Sequence, residues 1–105
     1  RLAVPRQDSG TTVEDIQRAV SEHFNIRLSD LKSHRRHRSV AHPRLIAMYL
    51  CRQRLKVSYG ELGERFGGKD HTTVMSAVRR IEGRMVDDRD LQHCIESLHT
   101  KLDRR

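Results

Sequence analysis

The 105-residue chain predicts an all-α domain built on a helix-turn-helix core, and three features predict it. Apolar residues recur at intervals of three and four and nowhere alternate with period two, so helices are expected and strands are not. Two such segments, Tyr59 to Phe66 and Asp70 to Met85, are separated only by Gly67, Gly68 and Lys69. Glycines reach backbone angles that strain other residues, so the pair makes a corner between two helices. A chain this short buries roughly two-thirds of its unfolded surface, enough for one modest core and hence one domain.

Residues 1–11 hold Pro5, Asp8, Ser9 and Gly10 with little periodicity, and read as a linker or disordered lead-in, leaving 12–105 as the domain. The chain does not open on Met, and we expect it to have been cut from something larger. Thr12 suits the cap of a first helix, Val13 to Phe24, with Asp15 completing a capping box and Ile16, Ala19, Val20 and Phe24 as the inward stripe. Ser29 to Leu31 reads as a short turn, and Lys32 to Arg38 as a basic loop. Pro43 suits the first turn of a helix running to about Leu55, where its missing amide hydrogen would have no partner anyway. Ser58 caps the helix before the glycine corner. Asp70 caps the one after it, whose inward face is Val74, Ala77, Val78, Ile81 and Met85. Asp90 is expected to cap a last helix with the stripe Leu91, Cys94, Ile95, Leu98 and Leu102.

Charge is distributed unevenly. The formal net charge is +7, from 21 Lys and Arg against 14 Asp and Glu. Between Asp30 and Glu61 there is no acid, while Lys32, Arg35, Arg36, Arg38, Arg44, Arg52, Arg54 and Lys56 supply eight positive charges with His34, His37 and His42 among them. Such one-sidedness favours an anionic polymer or an anionic membrane surface as partner. The helix after the corner shows Asp70, His71, Thr72 and Thr73 on its outer face, then Ser76, Arg79 and Arg80. Short polar groups followed by positive charge suit a helix that enters the DNA major groove.

Other chemistries find little support. Cys51 and Cys94 stand alone within apolar stripes and read as buried free thiols. The seven histidines have no accompanying zinc-ligand spacing, so no metal is expected. Gly63-Glu64-Arg65-Phe66-Gly67-Gly68-Lys69 fits the first seven places of the phosphate-binding loop pattern. Asp70 then occupies the place of the hydroxyl that should reach magnesium, and the stretch before it is helical where that loop follows a strand. No apolar run spans a bilayer and no signal-like segment is present, so no membrane association and a cytoplasmic location are expected. A membrane-surface or protein-interaction module rests only on the charge and on the final amphipathic helix.

From about Val13 to Glu82 the chain resembles the C-terminal DNA-binding domain of the DnaA family of bacterial chromosomal replication initiators. The resemblance is carried by Ile16-Gln17, Asp30-Leu31, the run Arg35 to Arg44, Ala47 to Leu50, the string Phe66-Gly67-Gly68-Lys69-Asp70-His71-Thr72-Thr73-Val74, and Arg80-Ile81-Glu82. It implies a compact, Trp-repressor-like helical domain that binds short asymmetric boxes in double-stranded DNA at a replication origin, in the nucleoid. By the same resemblance Arg36 would enter the minor groove, and Asp70, His71 and Thr72 would contact bases in the major groove. Arg35, His37, Arg38, Arg44, Arg52, Lys69 and Thr73 would meet phosphates. Lys69, where the family often has Arg, keeps the charge but not the bidentate fork. The chain departs from the family pattern at His42, commonly Arg; at Leu45, commonly Gln; and at Gly60, commonly Pro.

Family members carry an ATPase module ahead of this domain, and its motifs are absent from these residues. No enzymatic activity and no cofactor are therefore expected of this chain, ATP entering only if such a module exists elsewhere in a full protein. With a single reading helix and no heptad seam, a monomer is expected. Both a domain excised from a full initiator and a standalone regulator are compatible with these residues.

Overall fold

The computed structural model describes residues 11–33 and 38–104, and of Arg38 the backbone alone. Residues 1–10 of the expected lead-in and residues 34–37 of the basic loop lie outside this set. All regular structure among the described residues is helical: α1 (Val13–Phe24), α2 (Leu28–Lys32), α3 (Arg38–Arg54), α4 (Tyr59–Arg65), α5 (His71–Arg84) and α6 (Arg89–Asp103).

The cap of α1 forms as its residue types require. Thr12 Oγ1 accepts from the Asp15 amide at 3.1 Å, and the Asp15 carboxylate accepts from the Thr12 amide at 3.0 Å. Val13, Ile16, Ala19 and Val20 face inward, while Phe24 is half-buried. The helix ends on Asn25 at φ 57°, a left-handed conformation that asparagine tolerates. The expected turn at Ser29 to Leu31 is one short helix, starting a residue earlier.

Helix α3 starts earlier than Pro43. It begins at Arg38, so Pro43 lies inside it, sixth from the start. A proline there loses one backbone hydrogen bond and crowds the carbonyl four residues back. Burial offsets this, because Val40, Pro43, Arg44 and the run Ile46 to Cys51 are all buried. Burial on every side from Ile46 to Cys51 makes the middle of α3 the central post, packed by α1 and by α5. Burial pushes the Cys51 thiol up, so it stays protonated.

Helix α6 is capped by Asp88, whose Oδ1 accepts from the Leu91 amide at 3.0 Å. Asp90 instead sits in the first turn, where its charge favours the helix dipole. Both positions satisfy the composition rule for a helix start, and the backbone reaches helical angles at Arg89. Leu91, Ile95, Leu98 and Leu102 are buried and α6 packs on α1. Cys94 is only half-buried, its Sγ 3.6 Å from His23 Nε2. The far end of α6 is tied to α3 by Arg54, whose side chain is 7% exposed and donates to His99 Nδ1 at 2.9 Å and to Asp103 Oδ1 at 2.8 Å. A guanidinium only donates, so His99 accepts at Nδ1.

His42 lies where α1, α3 and the start of α6 meet, edge-on to the Phe24 ring. Burial first, and then the Arg84 charge, lower its pKa below the ordinary 6.5, with Asp88 opposing. The folded chain then binds this proton less readily than the unfolded chain does. Stability at His42 is therefore complete above about pH 6.5 and is lost as pH falls through the depressed folded value. Urea unfolding between pH 7.5 and 5 is expected to show a steeper loss of stability for the native chain than for His42→Gln.

Candidate DNA interface

The helix-turn-helix is assembled from α4, a five-residue corner over residues 66–70, and α5. Ser58 Oγ accepts from the Glu61 amide at 3.0 Å and starts α4. Phe66 ends it, fully buried, its amide donating to the carbonyls of Leu62 and Gly63. Gly67 and Gly68 have φ of 92° and 77°, the left-handed angles expected of the corner. The Lys69 amide then donates back to the Gly63 carbonyl at 2.9 Å and closes the turn. That bond, with Gly63 to Arg65 inside a helix, is not the amide cradle of a phosphate-binding loop.

A second fastening comes from α1. Gln17 is 1% exposed and its Nε2 donates to the Arg65 carbonyl at 2.9 Å, pinning the C-terminal end of α4. No local pattern announces a contact across 48 positions. Val74, Ala77, Val78 and Ile81 bury the inner face of α5, so its axis is set by the core.

The outer start of α5 is exposed: Asp70, His71, Thr72 and Thr73 all face solvent. Asp70 Oδ1 accepts three hydrogen bonds, from the Thr73 amide at 3.1 Å, Thr73 Oγ1 at 2.8 Å and Thr72 Oγ1 at 3.1 Å. These bonds, that of the Thr73 hydroxyl first, hold the carboxyl below its ordinary range. Cap and candidate base contact are thus one residue, with the cap on one oxygen.

Beside this end runs a groove of about 490 Å³ between α3 and α5. Ala41, Leu45, Met48 and Ala77 line it with apolar surface, Arg44, Lys69 and Arg80 with positive charge, and Thr73 and Ser76 with hydroxyls. No acid lines it. Three predicted phosphate contacts, Arg44, Lys69 and Thr73, meet here, and Ser76 and Arg80 join them. The signal for those two was available, since Ser76 and Arg80 follow Thr73 at helical spacing on α5. Leu45 lies on the groove wall, half-buried against the core.

The remaining cations are placed differently. Arg44 is 6% exposed and donates to the Asp30 carbonyl at 2.6 Å, tying α3 to α2. Arg52 is half-buried at the other end of α3, donating to the Val57 carbonyl at 2.6 Å with its guanidinium 4.0 Å from the centre of the Tyr59 ring. Both carry structural duties that a count of charges does not show. Arg35, Arg36 and His37, and the Arg38 side chain, lie outside the described residues. The described residues contain no group of three or more candidate metal ligands, and no helix among them is long and apolar enough to cross a membrane.

A buried inner face, a glycine corner and an exposed polar helix start beside a cationic groove define a helix-turn-helix DNA-binding domain. Residues 13–81 match the family described as the bacterial dnaA protein helix-turn-helix, and the chain belongs to that family. Among curated relatives, it is 52% identical over 92 residues to the chromosomal replication initiator protein DnaA of Ruegeria sp. strain TM1040, covering 88% of this chain and 20% of the relative. It is 50% identical over 91 residues to that of Caulobacter vibrioides strain NA1000, with 87% and 19% covered. Against that of Geobacter sp. strain M21 the identity is 47% over 91 residues, with 87% and 20% covered. The chain thus spans about a fifth of the length of these relatives.

Proposed function

We propose that the chain reads short, asymmetric boxes of the DnaA type in double-stranded DNA and so positions a replication initiator at an origin in the bacterial nucleoid. The observation that carries this is the exposed Asp70-His71-Thr72-Thr73 end of a helix whose other face is locked to α3 and α4. In this reading α5 enters the major groove, where Asp70, His71 and Thr72 meet base edges. Lys69, Thr73 and the other cationic residues lining the α3/α5 groove take a phosphate. Arg36 enters the adjacent minor groove, whose negative potential is strongest where A·T pairs narrow it. Arg35, His37, Arg38, Arg44 and Arg52 add phosphate attraction. One reading helix needs one copy, so the chain binds as a monomer without a cofactor. A standalone regulator using the same reader would act by occupying such sites; the length of the native reading frame separates it from an excised domain.

Two substitutions test the groove assignments. Arg36→Ala is expected to lose about 1–3 kcal/mol of affinity at one A·T-rich position and to leave random duplex less affected. Arg52→Ala is expected to weaken all duplexes alike and to flatten the salt dependence by about one counterion. Its bond to Val57 makes a parallel stability measurement necessary. Equal losses for specific and random duplexes in both variants would contradict the groove assignments.

A further inference from the structure

We propose that Gln17 is a positioning residue for box reading: from α1 it fixes where α4 lies relative to α5, and so sets the separation at which the two helices meet DNA. The inference rests on the reading above, in which α5 enters the major groove; the first helix of such a pair crosses the phosphate backbone beside it.

Packing alone does not account for a glutamine here. Gln17 lies on the buried face of α1 with Val13, Ile16 and Val20, and is 1% exposed. A buried amide costs stability unless it is paired, and methionine would fill the same space without that cost. What the amide adds is a bond across the fold, Nε2 donating to the Arg65 carbonyl at 2.9 Å. The last carbonyls of a helix have no partner within it. At the end of α4 the Gly63 carbonyl is served from inside the corner, by the Phe66 and Lys69 amides at 3.3 and 2.9 Å, whereas the Arg65 carbonyl is served from another helix. Helix α4 has seven residues, about two turns, and packs chiefly on α5. The buried face of α5 holds that helix on the core, and α1 and α5 both pack on α3. The bond from Gln17 closes this ring of helices, so α4 cannot pivot about the glycine corner without breaking it. Such a pivot would move the backbone-crossing helix while leaving α5 in place, which harms a fitted complex and spares attraction by charge alone.

Gln17→Met tests this, because it keeps the length of the side chain and removes only the donor. The probes are a duplex carrying an initiator-type box and a scrambled duplex of equal composition, titrated well below the melting temperature of each protein. The ratio of the two affinities is expected to fall about 5- to 10-fold in Gln17→Met, the loss coming from the box and not from the scrambled duplex. Native-state amide exchange supplies a second readout. The Phe66 and Lys69 amides should exchange several-fold faster in the variant, while amides in the middle of α3 keep their native rates. Gln17→His, whose ring Nε2 can donate from nearly the same place, should restore part of the ratio. A purely structural glutamine would behave differently: Gln17→Met would melt at a lower temperature, exchange would rise throughout, and box and scrambled duplex would lose affinity by the same factor. That result would overturn the proposal while leaving box reading intact, as would a native ratio in Gln17→Met. Equal binding of the two duplexes by the native protein would instead remove the reading itself, and the positioning role with it.

Discussion

Gly63→Ala is expected to destroy discrimination between box and random DNA. A Cβ built on Gly63 would lie 1.9 Å from the Lys69 carbonyl oxygen and 2.9 Å from its carbon. Both are backbone atoms of the corner, so no side-chain rotation relieves the overlap, and the turn must open. The bond from the Lys69 amide to the Gly63 carbonyl opens with it, and α5 tilts away from the axis that presents Asp70 to Thr72. Overpacking of this kind costs about 3 kcal/mol of stability. Affinity for a specific duplex should drop at least about 100-fold, toward the level of random DNA. Gly60 in the same helix is the control: a Cβ there meets only Ser58 Oγ, at 3.9 Å. Gly60→Ala should instead stabilise the domain by about 0.5–1 kcal/mol. Urea unfolding and duplex titrations of the two variants check the contrast.

Phe66→Ala is expected to act through stability. The ring is fully buried at the end of α4, and truncating a phenylalanine in such a place costs ~3–5 kcal/mol. In a domain of this size that lowers the melting temperature by roughly 20 °C. The corner glycines and the Asp70 cap remain, so the surviving folded fraction should keep its base preference. Affinity for box and scrambled duplex should fall by the same factor, a pattern opposite to that of Gly63→Ala. Thermal melts by circular dichroism, with anisotropy well below the melting temperature, distinguish the two.

What could be read from the amino-acid order was local. Thr12, Ser58 and Asp70 act as caps because an N-cap needs only its own side chain and the amides two or three residues on. The inward faces of α1, α5 and α6 follow from spacing alone, and the left-handed corner from two adjacent glycines. Where several residues satisfy one local rule, order alone misleads. Pro43 fits a helix start but lies inside α3, whose earlier turn is secured by burial. Asp90 fits a cap, yet Asp88 performs it.

Contacts between distant segments were not legible. Gln17 on Arg65, and Arg54 on His99 and Asp103, join residues more than forty positions apart, and their residue types are equally at home on a surface. The same limit applies to charge. Arg44 and Arg52 count as two positive charges in any composition, but one is buried against α2 and the other is clasped to Val57 and Tyr59. At the candidate site, residues 69–73 were found because they are contiguous. Ser76 and Arg80 were visible on the same outer face, but that they share a groove with Ala41, Arg44, Leu45 and Met48 of α3 was not.

The most direct test of box reading is fluorescence anisotropy at physiological salt, titrating this chain against a duplex with an initiator-type box and a scrambled duplex of equal composition. The account predicts a preference of roughly a thousandfold or more for the box. Equal affinity for the two duplexes, falling steeply with added salt, would contradict it and leave only the attraction of a basic surface for phosphate.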